Sequence, residues 1–248
     1  MARVYGHDDR KSSALAATRP GPHKAPMPPL RLAVFDCDGT LIDSQRNIIR
    51  AMADSFARHS LLPPSDHATR SVVGLSLVEA MQTLLPQADA PLHQSLAEDY
   101  KTAFQRLRAE SRLEAEPMYD GIATLLAELD AAGWLLAVAT GKSDRGLAMA
   151  LAHHNIAHHF ISLQTADRHP SKPHPSMLLA ALADAGAHAA HTFIIGDTVY
   201  DIEMGSRAGV RGLGVDWGYH PAQDLHAAGA ADVAQDANHL WRLLHDGA

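Results

Sequence analysis

The sequence predicts an α/β protein built on a parallel sheet, with a helical segment inserted after the first strand. Three observations carry this. Short apolar runs recur along the chain, and segments of helical periodicity separate them. The runs are nearly continuous in apolar residues rather than alternating, which suits strands covered on both faces. One long stretch, about 44–116, parts the first run from the second and carries helical spacing throughout.

The elements follow in order. Residues 1–29 hold Pro20, Pro22, Pro26, Pro28 and Pro29 and few large apolar residues, and are expected to form a disordered tail. Patterned sequence begins at Leu30, which makes Met27 a candidate natural start. Strands are expected at 31–36, 134–139, 159–163, 192–196 and 210–215, with a weaker one at 231–234. Helices are expected at 121–132, 144–154, 174–186 and 200–208. A final helix near 237–245 has Asp236 as its cap. Within 44–116, Ile48, Ile49, Met52 and Phe56 form one stripe, and Leu77, Val78, Met81, Leu84 and Leu85 a second. Leu96, Tyr100, Phe104 and Leu107 form a third. The expected division is a tail at 1–29, a core at 30–43 and 117–248, and a helical cap at 44–116. An insertion at that point stands over the carboxyl end of the sheet, where open α/β sheets bind ligands.

Composition narrows the function. The chain has 248 residues, 46% hydrophobic and 20% charged, so a packed core is expected. A formal net charge of −7 argues against a general nucleic-acid binder. Cys37 is the single cysteine, so neither an intrachain disulfide nor a cysteine zinc site can form. No apolar run is long enough to span a bilayer, and the N-terminus lacks a secretory apolar region. A cytoplasmic location and no membrane partner are expected.

The chemistry concentrates after the apolar runs. Asp36-Cys37-Asp38-Gly39-Thr40-Leu41 follows the first. A carboxylate there can attack phosphorus, and a second, two residues on, can exchange a proton with the leaving oxygen and then with water. Gly39 lets the backbone turn sharply beside a phosphate. Thr140-Gly141 follows the second run and can hold phosphate oxygens through the hydroxyl and backbone N–H groups. Lys172 precedes a helix and can balance paired carboxylates. Gly196-Asp197-Thr198-Val199-Tyr200-Asp201 follows the fourth run, and its two carboxylates suit Mg²⁺, which prefers oxygen ligands.

These four segments, in this order and these strand contexts, resemble the haloacid dehalogenase superfamily of phosphatases, over about residues 30–236. The resemblance implies a Rossmann-like core with an inserted α-helical cap. It implies Asp36 as nucleophile, Asp38 as general acid and base, and Thr140 and Lys172 as phosphate-holding residues. Gly39, Thr40 and Gly141 would contact substrate. Mg²⁺ would bind Asp36, the backbone carbonyl of Asp38 and Asp197, with Asp201 supporting the metal. Asp38 favours phosphomonoester hydrolysis over dehalogenation, because a halide needs no proton. The runs ATGKSDRGL at 139–147 and PSKPHPSML at 170–178 look like phosphoglycolate phosphatase-type members. Val73-Gly74 resembles their specificity loop, which makes Gly74 a substrate-binding candidate. The expected partner is a small phosphorylated metabolite; monomer and homodimer stay open. A phosphosugar mutase of the β-phosphoglucomutase type keeps the same core residues and is the alternative. A phosphate-binding regulator without catalysis is disfavoured because the whole residue set is present.

Several other features read as structural. Gly141-Lys142-Ser143 imitates the end of a nucleotide-binding loop, but position 136 is Leu where that loop needs Gly; Lys142 is expected to be solvated. The histidines of 153–159 sit where a helix runs into a strand and cannot all face one point. His174 is expected to have no direct role. Cys37 should pack beneath its loop, and Tyr200, Trp134, Trp217 and Trp241 should pack as core or sheet-edge residues.

Overall fold

A computed structural model describes residues 1–2 and 29–246. The expected tail and the Met27 start lie almost wholly outside the described residues. The sheet holds β1 (Leu32–Phe35), β2 (Leu135–Thr140), β3 (Phe160–Thr165), β4 (Thr192–Gly196), β5 (Arg211–Val215) and β6 (Asp232–Ala234). Its order is β3-β2-β1-β4-β5-β6, and every pairing is parallel. This is the doubly wound arrangement, in which the chain turns back on itself at the β1/β4 boundary.

Strand periodicity divides the packing between two faces. Ala33 and Phe35 pack on one side with α5 (Ile122–Ala131), α6 (Asp144–His153) and α10 (Ala237–Asp246). Leu32 and Val34 face the other side, with α7 (Ser176–Ala185) and α8 (Val199–Ala208). The expected cap at Asp236 is present, since its carboxylate accepts from the N–H of His239 at 2.7 Å.

The insertion is four helices, α1 (Gln45–Arg58), α2 (Asp66–Arg70), α3 (Leu77–Leu84) and α4 (Ala90–Ala109), around Met52, Phe56, Met81, Leu96 and Ala97. It is not helical throughout, as the spacing suggested. Pro63 and Pro64 hold an extended segment open after α1, and residues 71–76 form a loop. The chain leaves and re-enters the core side by side. Asp43 donates its N–H to the Pro117 carbonyl at 2.8 Å, and Tyr119 to that of Leu41 at 3.1 Å.

Candidate active site

The strand register brings the motif segments together. Phe35 pairs with Val138 on one side and Ile195 on the other. Asp36, Thr140 and Asp197 therefore leave three adjacent strands at nearly one level. Asp36 and Asp197 flank the β1/β4 switch point, where the crossover helices part and leave a crevice.

Asp36 is buried, and neither of its carboxylate oxygens is hydrogen-bonded. Lys172 Nζ stands 2.9 Å from Asp36 Oδ1 as an ion pair, and donates to Asp201 Oδ1 at 2.7 Å. Asp201 is held in turn by the backbone N–H and hydroxyl of Thr198, at 3.2 and 2.7 Å, in the first turn of α8. Asp197 accepts from the Thr40 hydroxyl and the Tyr219 N–H, both at 2.9 Å. Gly39 makes this approach feasible: it has φ +89°, and a Cβ there would lie 2.2 Å from Asp197 Oδ2.

Asp36, Asp197 and Asp201 place carboxylate oxygens within 4.8 Å of one another. Burial pushes the Asp36 carboxyl up to about 6, with Asp201 and Asp38 adding to the rise and Lys172 opposing it. Burial also lifts Asp197 well above the usual carboxylate range, and the charges of Asp36 and Asp201 add to it. Three buried carboxylates cluster around one ammonium, Lys172, which pairs with Asp36 Oδ1 and Asp201, and no donor meets Asp36 Oδ2. That excess of negative charge and spare oxygen lone pairs fits a divalent cation with oxygen ligands. Among the described residues, no other group of three or more His, Cys, Asp and Glu brings its ligand atoms this close together.

Asp38 and Asp36 line a cavity of about 870 Å³ between the sheet edge and the insertion, together with Thr140, Gly141 and Gly74. Lys172, Asp197 and Asp201 are buried behind Asp36. Two expectations need correction. Thr40 and Gly39 do not face the cavity. The Thr40 hydroxyl is spent on Asp197, and the N–H groups of Gly39 and Thr40 bond to Ile42 and Cys37 carbonyls within the turn. Lys142 is not solvated. Its Nζ donates to Asp38 Oδ1 at 2.6 Å, and its side chain is 14% exposed. Burial works against the Lys142 ammonium, but the charge and hydrogen bond of Asp38, together with nearby Cys37 and Glu116, hold its pKa above the ordinary value.

Other side chains singled out in the sequence are placed as follows. Cys37 is buried, and burial raises its thiol pKa far from reactivity. His174 is exposed, and its Nδ1 accepts from the Ser176 N–H at the start of α7. Tyr200 packs on His220 and donates its hydroxyl to the Ser71 carbonyl of the insertion at 2.9 Å. His220 and Tyr219 were invisible as site residues. Their contribution is made largely through backbone and loop position, which leaves no side-chain motif to read.

A doubly wound sheet with acidic turns at its switch point and a helical insertion above them defines a hydrolase of the capped α/β class. The chain belongs to the haloacid dehalogenase-like hydrolase family, whose model matches residues 33–215. The protein named Probable phosphatase IndB, from Dickeya dadantii (strain 3937), is 33% identical over 79% of this chain and 86% of its own. The Phosphoglycolate phosphatase of Vibrio cholerae serotype O1 is 29% identical over 88% of this chain and 98% of its own. The crystal structure of a hydrolase from Pseudomonas syringae superposes with a TM-score of 0.77 at 24% identity, covering 87% of this chain and 98% of that one. This last likeness is one of fold.

Proposed function

We propose that the protein is a Mg²⁺-dependent phosphatase of small phosphomonoesters, of the phosphoglycolate phosphatase type, acting through an aspartyl phosphate on Asp36. The observation that supports this most directly is the division of the acidic residues. Asp36 and Asp38 border the cavity, while Asp197, Asp201 and Lys172 are packed behind Asp36.

Asp36, the Asp38 carbonyl and Asp197 would hold Mg²⁺, with Asp201 behind them, and the cation would supply charge balance for carboxylates and phosphate together. Asp36 attacks phosphorus through an oxygen that no donor blunts. The P–O bond to the leaving alcohol breaks as Asp38 delivers a proton to that oxygen. Asp38 then takes a proton from water, the water oxygen attacks phosphorus, and the Asp36 carboxylate is released with inorganic phosphate. Lys172 keeps Asp36 aimed and offsets charge as the phosphoryl group arrives. Thr140 borders the cavity, where its hydroxyl can meet a phosphate oxygen.

The test is release of phosphate from p-nitrophenyl phosphate and 2-phosphoglycolate in Mg²⁺. The expected result is turnover that Asp36→Asn reduces to below about a hundredth. An Asp36→Asn protein retaining more would overturn the assignment of the nucleophile.

A further inference from the structure

The cavity bordered by Asp36 and Asp38 is mostly apolar and larger than phosphoryl chemistry needs. Its volume, about 870 Å³, lies at the upper end of those that enclose drug-sized ligands. The apolar wall comes chiefly from the insertion: Met52 on α1, Val72 in the 71–76 loop, Val78 on α3, and Tyr100 and Phe104 on α4. The core adds Met149 of α6. Tyr100 and Phe104 stand one helical turn apart, with ring centroids 5.5 Å from each other and planes tilted by 51°. Both are half-buried, so ring surface remains for the cavity. The charges of Lys142 and Asp38 reach the Tyr100 hydroxyl, so the aromatic pair begins beside Asp38.

The charges of the lining are matched rather than in surplus. Lys142 is paired with Asp38, Lys101 with Glu98, and Glu114 with Arg46. Arg108 and Arg145 share the lining with Glu116 and Asp167. Beyond the place that takes the phosphate, the wall offers a second anion no excess of positive charge. Burying one there costs solvation without a surplus cation to offset it. Apolar surface is what the wall presents in quantity, and each methylene moved onto it from water stabilises the complex.

We infer that the substrate is the phosphate monoester of an uncharged alcohol with an extended apolar part, and that this part lies along Tyr100, Phe104 and Met149. This rests on the phosphatase reading and narrows it. The leaving group of 2-phosphoglycolate has two carbons and ends in a carboxylate, so it meets little of this wall and brings a charge that the wall does not match.

Ethyl phosphate, hexyl phosphate and 6-phosphohexanoate test it, with 2-phosphoglycolate alongside. Ethanol and hexanol are equally poor leaving groups, and the distant carboxylate of 6-phosphohexanoate does not alter its ester oxygen. Differences in kcat/KM among these three therefore report contacts rather than intrinsic reactivity. The expected kcat/KM rises from the ethyl to the hexyl ester by about threefold per methylene, the scale of moving one CH₂ out of water. It falls again by about tenfold for 6-phosphohexanoate, whose carboxylate must be desolvated. Phe104→Ala and, separately, Met149→Ala reduce the hexyl-to-ethyl ratio several-fold; Met149 is 38% exposed, so its truncation puts little packing at stake. A hexyl value equal to or below the ethyl value, a ratio that neither substitution moves, 6-phosphohexanoate above hexyl phosphate, or 2-phosphoglycolate as the best of the four would each overturn the inference. If none of the four is hydrolysed, the phosphatase reading falls instead, and calorimetry of the unaltered protein in Mg²⁺ then decides on the cavity. Tighter binding of hexyl than of ethyl phosphate supports the inference, and equal or undetectable binding of the two overturns it.

Discussion

Proton transfer to a leaving oxygen needs a carboxyl held in one place, and Lys142 holds Asp38 at 2.6 Å. Lys142→Met leaves Asp38 without that partner in a mostly buried setting. The expected result is a fall in kcat of about 10–100-fold on an alkyl phosphate, with a smaller change in KM and partial recovery in Lys142→Arg. Steady-state kinetics on the three proteins checks it. Asp36 makes a prediction of a different kind. Its folded pKa, about 6, lies above the ordinary 3.8, so the metal-free folded protein binds more protons than the unfolded chain between those values. Stability then falls as pH rises through that window, by on the order of 3 kcal/mol for this one group. Asp36→Asn cannot ionise there. Its stability relative to the parent should therefore climb from pH 4 to about pH 6.5 and stay level above, as read by denaturant titration in chelator. The acidic motif residues were legible in the sequence because carboxylates after apolar runs have few structural reasons to be there. Lys142 was not, because nothing local to Gly141-Lys142-Ser143 says that its ammonium is folded back onto residue 38. The Tyr219 N–H on Asp197 was equally hidden, since a backbone donor carries no residue signature.

At the scale of elements, one loop of the insertion, residues 71–76, makes several contacts with the core. Tyr200 donates to the Ser71 carbonyl, the Ser171 hydroxyl accepts from the Ser76 N–H at 2.7 Å, and Gly141 lies against the carbonyls of Gly74 and Leu75. A Cβ at position 141 would stand 2.7 Å from the Leu75 oxygen, which is backbone and cannot rotate away. Gly141→Ala should therefore push the 74–75 loop off the site and raise KM several-fold while leaving the far-ultraviolet spectrum of the fold intact. Tyr200→Phe removes one donor from Ser71 and should cost about 1 kcal/mol of stability, measured by chemical denaturation. The strands and long helices were read from periodicity to within a few residues. The helix expected from 174 starts at Ser176, because Pro175 occupies its cap and His174 receives the Ser176 N–H. Helix α2 and the six-residue helix Ala222–Ala227 went unread, being too short to display a face over two full turns.

For the molecule as a whole, the net charge of −7 and an anionic substrate are reconciled locally. The surplus of acid that matters is the buried trio at the switch point, and a divalent cation held there would bind the folded chain alone. Mg²⁺ should raise the midpoint of thermal unfolding at pH 7.5, and less so at pH 5, where protons compete for Asp36 and Asp197. A scan with and without chelator at the two pH values checks it. Among the described residues no helix is long and apolar enough to cross a membrane.

The placement of β1 has a consequence for how the chain is made. The strand leading into Asp36 emerges early, yet its two neighbours pair with Leu32 through Leu135 and Thr192. It stays unpaired on both edges until the ribosome has passed the insertion and then most of the core. Contacts so distant in sequence are slow to close. The helical insertion, whose contacts are nearer neighbours, can consolidate around Met52, Phe56 and Leu96 while the strand waits. The acidic centre at the switch point is thus among the last parts of the molecule to exist during synthesis, and a ribosome stalled before Thr192 would carry a chain with Asp36 and no site around it.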